Sequence, residues 1–301
     1  MKLCLSPPNN YDLLSSIHAW IYPDVQPAPE KTGPDWFGRV ITIEKTQIPI
    51  FISQKTPGSN LDIFYSETSI SKELIENKIN QILSLKVDIS PAIKVIERDS
   101  QLSEFVDKIS GIRPYLSDSL FEALIKSIIQ QQVSYRAANV LTKRMIEHLV
   151  SPLNIRGQAV FAFPTSSQLI EMGEQGLRKI GMGFKSEYIM EVCNLIESKE
   201  LFLEPLMLMS SKSVHKTLTP IRGIGEWTVH ALQIAGIGDF SVFPYGDLGI
   251  QNLLGRIYND GKRIKKKQVL EYSAKWGEAG PMVLYFLMCA DVLGFLGEIS
   301  R

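Results

Sequence analysis

The sequence predicts a mostly α-helical protein in which an N-terminal antiparallel α/β unit precedes an all-α unit. Three observations predict it. Short β-branched runs are confined to the first hundred residues. Beyond Asp99 the strand signals disappear and apolar residues recur at helical spacing. Connections between the later segments are short and marked by Gly or Pro, as in a helical bundle. The boundary falls near residue 98, giving units 1–98 and 99–301, and a chain of 301 residues is long enough for each to bury its own core.

In chain order, residues 11–20 read as a helix. Residues 39–44 (RVITIE), 48–53 (IPIFIS) and 60–66 (NLDIFYS) read as strands separated by polar turns, and 71–83 as a second helix. Ser119 can cap a helix whose apolar residues are Phe121, Leu124, Ile125, Ile128 and Ile129. Further helices are predicted at 135–149, 166–172, 176–180, 186–198, 211–219, 227–235, 248–258 and 281–293. No internal repeat or low-complexity segment is evident.

Composition narrows the function classes. Apolar residues make up 45% and charged residues 21%, the balance of a globular chain and not of a disordered one. Thirty-two basic residues match 32 acidic ones, so the molecule as a whole does not attract polyanions. Any nucleic-acid contact must come from a local patch or from backbone donors. Cys4, Cys193 and Cys289 are far apart and form no CxxC pair, which argues against a cysteine-held zinc or iron–sulfur site and fits a reducing compartment. The opening MKLCLSPPNNYD does not read as a signal peptide. Residues 282–290, the most apolar stretch, are about half the length a bilayer requires. A soluble protein of the prokaryotic cytoplasm, with no membrane partner, is the expectation.

The most informative segment is 218–251, LTPIRGIGEWTVHALQIAGIGDFSVFPYGDLGIQ. A helix ends near Pro220, Gly223-Ile224-Gly225 makes a tight turn, and a second helix begins at about Glu226. Two glycines one residue apart let backbone approach a partner and expose the amides of the following helix start, which suits a phosphate. Ile224 packs the hairpin. Taken alone, such a pair is equally a glycine C-cap of any helical hairpin. Twenty-two residues after Gly225 stands Asp247, just before the helix LGIQNLLGRIY. It reads as an N-cap, and the same position fits chemistry. A carboxylate held by amides and helix dipole is suited to stabilising positive charge on a sugar.

GIGEWTVHAL…FPYGDLGIQ resembles the hairpin-plus-aspartate signature of the helix-hairpin-helix (HhH-GPD) DNA glycosylase superfamily. Residues 120–138, LFEALIKSIIQQQVSYRAA, resemble the helix pair that opens its catalytic domain, and 163–188 its FPT…L…G…K…Y segment. The N-terminal unit is similar to the antiparallel, TBP-like domain of the 3-methyladenine glycosylase II subgroup, the AlkA type. The resemblance implies a DNA glycosylase that flips a damaged purine out of duplex DNA and hydrolyses its N-glycosidic bond in base-excision repair. It implies Asp247 as the catalytic carboxylate, and Gln131, Gln132, Arg222, Gly223, Ile224, Gly225 and Thr228 as DNA contacts. Gln132 takes the wedge position. Trp227, Ala231, Leu248 and Asp291 fall at base-pocket positions, the last three standing where the best-studied pattern has aromatics, and Tyr245 and Trp20 are the candidates to compensate. The aromatic face of Trp227 favours a cationic alkylated base.

Strand-cleaving members carry a Schiff-base lysine two residues after the second glycine; here that position is Trp227, so hydrolysis alone is expected. No metal or organic cofactor is implied in the chemistry, although hairpin carbonyls near Gly223 could hold a monovalent cation. A monomer is implied. Alternatives stay open. RKIGMGFK resembles the 8-oxoguanine branch, whose glycosylase/lyase activity would need another lysine such as Lys185, and a hairpin module without chemistry would leave Asp247 a simple cap. Asp291 also reads as an exposed helix end, the basic run Lys262, Arg263, Lys265, Lys266 and Lys267 as a solvated loop, and His230 as structural.

Overall fold

A computed structural model describes residues 1–296. Strands Lys2–Leu5 (β1), Lys31–Thr32 (β2), Trp36–Ile43 (β3), Thr46–Gln54 (β4) and Leu61–Tyr65 (β5) form an antiparallel sheet in the order β1-β5-β4-β3-β2. The three central strands are those the sequence predicts. The edge strands β1 and β2, of four and two residues, are too short to show a period. β3 and β4 pair from Trp36↔Ser53 to Ile43↔Thr46. Glu44 and Lys45 close the hairpin at φ 48° and 69°, the mirror-image turn whose twist matches the strands.

Helices Leu13–His18 (α1) and Lys72–Ile82 (α2) cover one face of this sheet. Leu13, Ile17, Ile75, Ile79 and Ile82 bury themselves against Phe37, Ile41, Ile50, Ile52 and Ile63. α1 is shorter than the predicted 11–20 because Asp12 caps it, accepting from Ser15 N–H at 3.0 Å. Two helices with weaker sequence signals follow, Ser90–Arg98 (α3) and Val106–Ile109 (α4).

The remaining helices are Leu120–Gln130 (α5), Tyr135–Leu149 (α6), Ser166–Lys179 (α7), Lys185–Glu197 (α8), Ser211–Leu218 (α9), Glu226–Leu232 (α10), Leu248–Tyr258 (α11), Lys266–Lys275 (α12) and Gly280–Val292 (α13). α7 contains a break at Gly173 (φ 70°), so it comprises the two helices the sequence separates. The buried faces of α5, α8, α9 and α10 meet in one core. α11, α13 and α3 meet in another, where Ile89, Ala92 and Ile96 pack with Leu253, Leu254, Leu284 and Leu287. α3 precedes residue 98 in sequence and packs with the later helices.

Two expectations are corrected. The region beyond Asp99 is not entirely helical: Leu153–Ile155 (β6) and Gln158–Val160 (β7) form a small hairpin against the sheet, with Arg156 4.0 Å from the Phe64 ring centre. Strands of three residues carry no readable alternation. The basic run is not wholly a loop, because α12 begins within it at Lys266. Among the described residues, no helix is long and apolar enough to cross a membrane.

Sheet and helices are joined by buried charge. Arg39 on β3 has no solvent exposure. Its guanidinium donates to Glu122 Oε2 on α5 (2.6 Å), Glu30 Oε1 (3.1 Å) and the Tyr115 hydroxyl (2.8 Å). Lys126 donates to both carboxylates at 2.8 Å. Taking these charges out of water is costly, and each is retained because its partners are in place. Burial would raise the Glu122 carboxyl, but Arg39 and Lys126 outweigh it and hold it down at about 2.

Replacing Arg39 with Met should therefore cost about 3–5 kcal/mol in denaturant unfolding, since two buried carboxylates would face Lys126 alone. A loss below about 1 kcal/mol would contradict this account. Because the folded value of Glu122 lies below the ordinary 4.5, its contribution is present above pH 4.5 and lost as pH falls towards about 2.

Candidate active site

α5 ends at Gln130 with Gln131 as its C-cap, and the turn to α6 passes through Gln132, Val133 and Ser134. Gln132 is exposed and adopts a left-handed φ of 56°. Gln131, expected as a DNA contact, lies in the cleft wall, and its amide nitrogen donates to Gly223 O (2.8 Å) and Thr228 Oγ1 (2.9 Å). Thr228, also expected at the DNA, is buried at 2% exposure and serves as that acceptor. The polar side chain at the end of an apolar helix thus ties the α5–α6 turn to the α9–α10 hairpin.

Within the hairpin the two glycines have separate causes. Gly223 has φ 85°, and a Cβ there would lie 2.2 Å from the Tyr188 ring. Gly225 caps α10 at φ −96°, and a Cβ there would meet nothing within 4 Å. The first glycine is required by the fold. The second leaves room for something outside it. Ile224 is buried at 3% exposure, and its N–H donates to Ile221 O at 3.0 Å. Arg222 is exposed and paired with Glu187 at 2.7 Å.

Asp247 is the N-cap of α11, as predicted. Its Oδ1 accepts the N–H groups of Gly249 (2.7 Å) and Ile250 (3.2 Å), and its Oδ2 accepts Trp227 Nε1 at 2.9 Å. Three donors from two helices fix the carboxylate in direction as well as place. Trp227 had been expected as a base-pocket face; its indole N–H is engaged by the carboxylate, so it also positions Asp247.

These groups line one cleft of about 1350 Å³, into which the hairpin, Gln131, Gln132, Trp227, Ala231, Asp247, Leu248 and Asp291 all open. Leu248 is 59% exposed. Asp291 sits at the end of α13 and pairs with Arg256 at 2.5 Å, so it is neither a stray charge nor a bare helix end. Tyr245 is the exception. Its ring packs beside Phe243, its hydroxyl lies 3.5 Å from Ser273 Oγ, and it is not in the cleft wall.

The far wall is aromatic. Trp20 stacks on Tyr285 with ring centres 5.2 Å apart and donates to its hydroxyl at 2.6 Å, while the Tyr135 hydroxyl donates to Trp20 O at 2.5 Å. Burial pushes the Tyr135 and Tyr285 hydroxyls well above the ordinary tyrosine range, so both stay neutral. Tyr22, Tyr135 and Tyr285 had not been anticipated as cleft residues. The readable signal was the stripe Tyr285, Met288, Asp291 and Val292 on α13, all of which face the cleft.

Lys185 lies outside the cleft wall. It is buried, its Nζ donates to Ile129 O at 2.5 Å, and burial lowers its affinity for a proton. His230 is half-buried, with its ring 6.4 Å from that of His215. Burial lowers its affinity for a proton as well. Among the described residues, no group of three or more His, Cys, Asp or Glu side chains could hold a metal ion.

Comparison with known proteins places this geometry. Residues 125–279 match the model of the HhH-GPD superfamily base excision DNA repair protein, and residues 32–124 match that of the 8-oxoguanine DNA glycosylase N-terminal domain. A DNA-3-methyladenine glycosylase of Bacillus subtilis is 29% identical over 72% of this chain and 72% of its own length. A 3-methyladenine DNA glycosylase from Archaeoglobus fulgidus shares the fold at a TM-score of 0.86 and 23% identity, covering 96% of this chain and 98% of that one. The Schizosaccharomyces pombe 3-methyladenine DNA glycosylase, solved with abasic DNA, is 25% identical with a TM-score of 0.56, covering 67% of this chain and 97% of its own.

The two glycines should respond differently to a methyl group. Gly223→Ala should lose at least about 2 kcal/mol of stability, from left-handed strain and the Tyr188 contact. Gly225→Ala should lose under about 1 kcal/mol. Thermal or urea unfolding of the two variants decides it, and equal losses would sink the distinction.

Proposed function

Given that the chain belongs to the HhH-GPD superfamily of base excision DNA repair proteins, we propose that it is a monofunctional DNA glycosylase acting on alkylated purines in duplex DNA. The observation that carries this reading is the Asp247 carboxylate, fixed by three N–H donors in the wall of a cleft that the glycine hairpin opens onto. The flipped nucleotide occupies the cleft, with its base against the aromatic wall of Trp20 and Tyr285 and its sugar towards Asp247. The C1′–N bond breaks and its electron pair leaves with the base. Positive charge develops on the sugar beside the fixed carboxylate, which stabilises it electrostatically. A water adds its oxygen to C1′ and passes a proton to the Asp247 carboxylate, which releases it to solvent, yielding an abasic site. A base that already carries a positive charge departs neutral, and aromatic faces favour such a base before it leaves.

Backbone N–H groups at Gly225 and the start of α10 hold a DNA phosphate, and Gln132 fills the gap left by the flipped base. We assign no metal or organic cofactor to the chemistry. The Gly223 and Ile221 carbonyls each accept one N–H and keep a second lone pair, so a monovalent cation bridging to phosphate would fit there. The enzyme acts as a monomer, in the prokaryotic cytoplasm, where Cys4, Cys193 and Cys289 stay free as they stand here. An 8-oxoguanine glycosylase/lyase is the second reading, favoured by the match of residues 32–124. Against it stand Trp227 at the lysine position and the engagement of Lys185 with α5.

Asp247→Asn should lower single-turnover excision from a duplex carrying an alkylated purine by about a hundredfold or more while duplex binding persists. Strand breaks should appear after hot alkali and not before it. Breaks without alkali, or borohydride trapping of a covalent adduct, would favour the lyase. Unchanged excision in the variant would remove Asp247 from the chemistry.

A further inference from the structure

Three ion pairs stand around the mouth of the cleft. Arg136 follows the cleft residue Tyr135, lies 5.4 Å over the Tyr22 ring, and donates to Asp24 Oδ1 at 2.9 Å. Arg222, itself in the cleft wall, pairs at 2.7 Å with Glu187, which also pairs with Arg178 at 2.6 Å. Lys266 pairs at 2.6 Å with Glu226, which stands between the cleft residues Gly225 and Trp227. All six side chains are substantially exposed, from 32% for Glu187 to 72% for Arg222. Surface pairs of this kind exchange partners at little cost.

These cations are where a duplex entering the cleft would bring its phosphates, yet each is already matched by a carboxylate. We propose that Asp24, Glu187 and Glu226 are specificity-determining residues that hold down affinity for undamaged duplex, and that phosphates displace them when DNA is engaged. The proposal rests on the DNA-glycosylase reading above. A cation paired to a carboxylate contributes little to long-range attraction. Once a phosphate takes the cation, the carboxylate left behind repels the duplex and recruits a counterion, fully at Asp24 and Glu226 and less at Glu187, which keeps Arg178 as its partner. That uptake cancels the counterion release on which non-specific affinity depends. Discrimination then rests on what the cleft does with the flipped base.

The test is the combined variant Asp24→Asn, Glu187→Gln, Glu226→Gln, with the three single variants. A control removes the same charge far from the cleft: Glu73→Gln, Glu97→Gln, Glu104→Gln, on exposed positions of α2, α3 and the turn before α4. Binding to an undamaged duplex is measured by fluorescence anisotropy across a salt series. The rim variant should bind roughly five- to tenfold tighter at low salt. Its log K against log salt plot should steepen by roughly one unit each for Asp24 and Glu226 and by less for Glu187, which Arg178 still neutralises. The control should stay near wild type, and thermal unfolding should show all variants folded. Equal behaviour of rim variant and wild type would overturn the proposal. Equal tightening in the control would overturn it too, by reducing the effect to net charge. Excision by the wild-type chain, measured in the same preparations, tests the functional reading separately.

Discussion

The buried Arg39–Glu122 pair fixes α5, and the site is assembled from α5 outward. One end of the helix is held to β3 by charges that have left water together. The other end is capped by Gln131, whose amide holds Gly223 O and Thr228 Oγ1 of the hairpin. The hairpin helix carries Trp227, and Trp227 Nε1 holds Asp247 Oδ2. Polar contacts joined by α5 and α10 therefore link the sheet to the candidate carboxylate. At the sheet end the loss of a partner would strand buried charge, while the contacts at Gln131 and Trp227 are half-buried and act by direction.

The same economy governs the surface offered to DNA. Backbone amides at the hairpin need no basic side chains, and the basic side chains present at the cleft mouth are matched by acids. The cleft itself joins an aromatic wall to a fixed negative charge. Stacking and charge both favour an electron-poor base there, while the position of Asp247 at the N-cap of α11 sets where positive charge can develop on a sugar.

Much of this was legible in the sequence, for identifiable reasons. Helices such as α5 announce themselves through an apolar stripe and the Ser119 cap, whose hydroxyl accepts from Glu122 N–H at 3.1 Å. Asp247 was visible because an N-cap leaves a local signature. The hairpin was visible because Gly223 must occupy a left-handed φ beside Tyr188. What escaped was non-local or very short. β2 and the β6–β7 hairpin have too few residues for a period. Trp20 was a candidate, but its stacking partner Tyr285 stands 265 positions away, and no local pattern connects them. Gln131 and Gln132 are identical neighbours in sequence, yet one faces the hairpin and the other solvent, a division made by the left-handed turn between helices. Tyr245 shows the converse: its place beside the aspartate suggested the cleft, but its ring packs beside Phe243 towards Ser273.

The most direct test is a crystal structure with a duplex carrying a positively charged abasic-site analogue, a ring nitrogen standing in for the charged sugar. The account predicts that the analogue is rotated out of the duplex with its cationic nitrogen against an Asp247 carboxylate oxygen. A phosphate should lie on the amides that follow Gly225, and Gln132 should occupy the vacated space. An analogue left stacked within the duplex, or flipped to a place that Asp247 does not reach, would contradict the central claim.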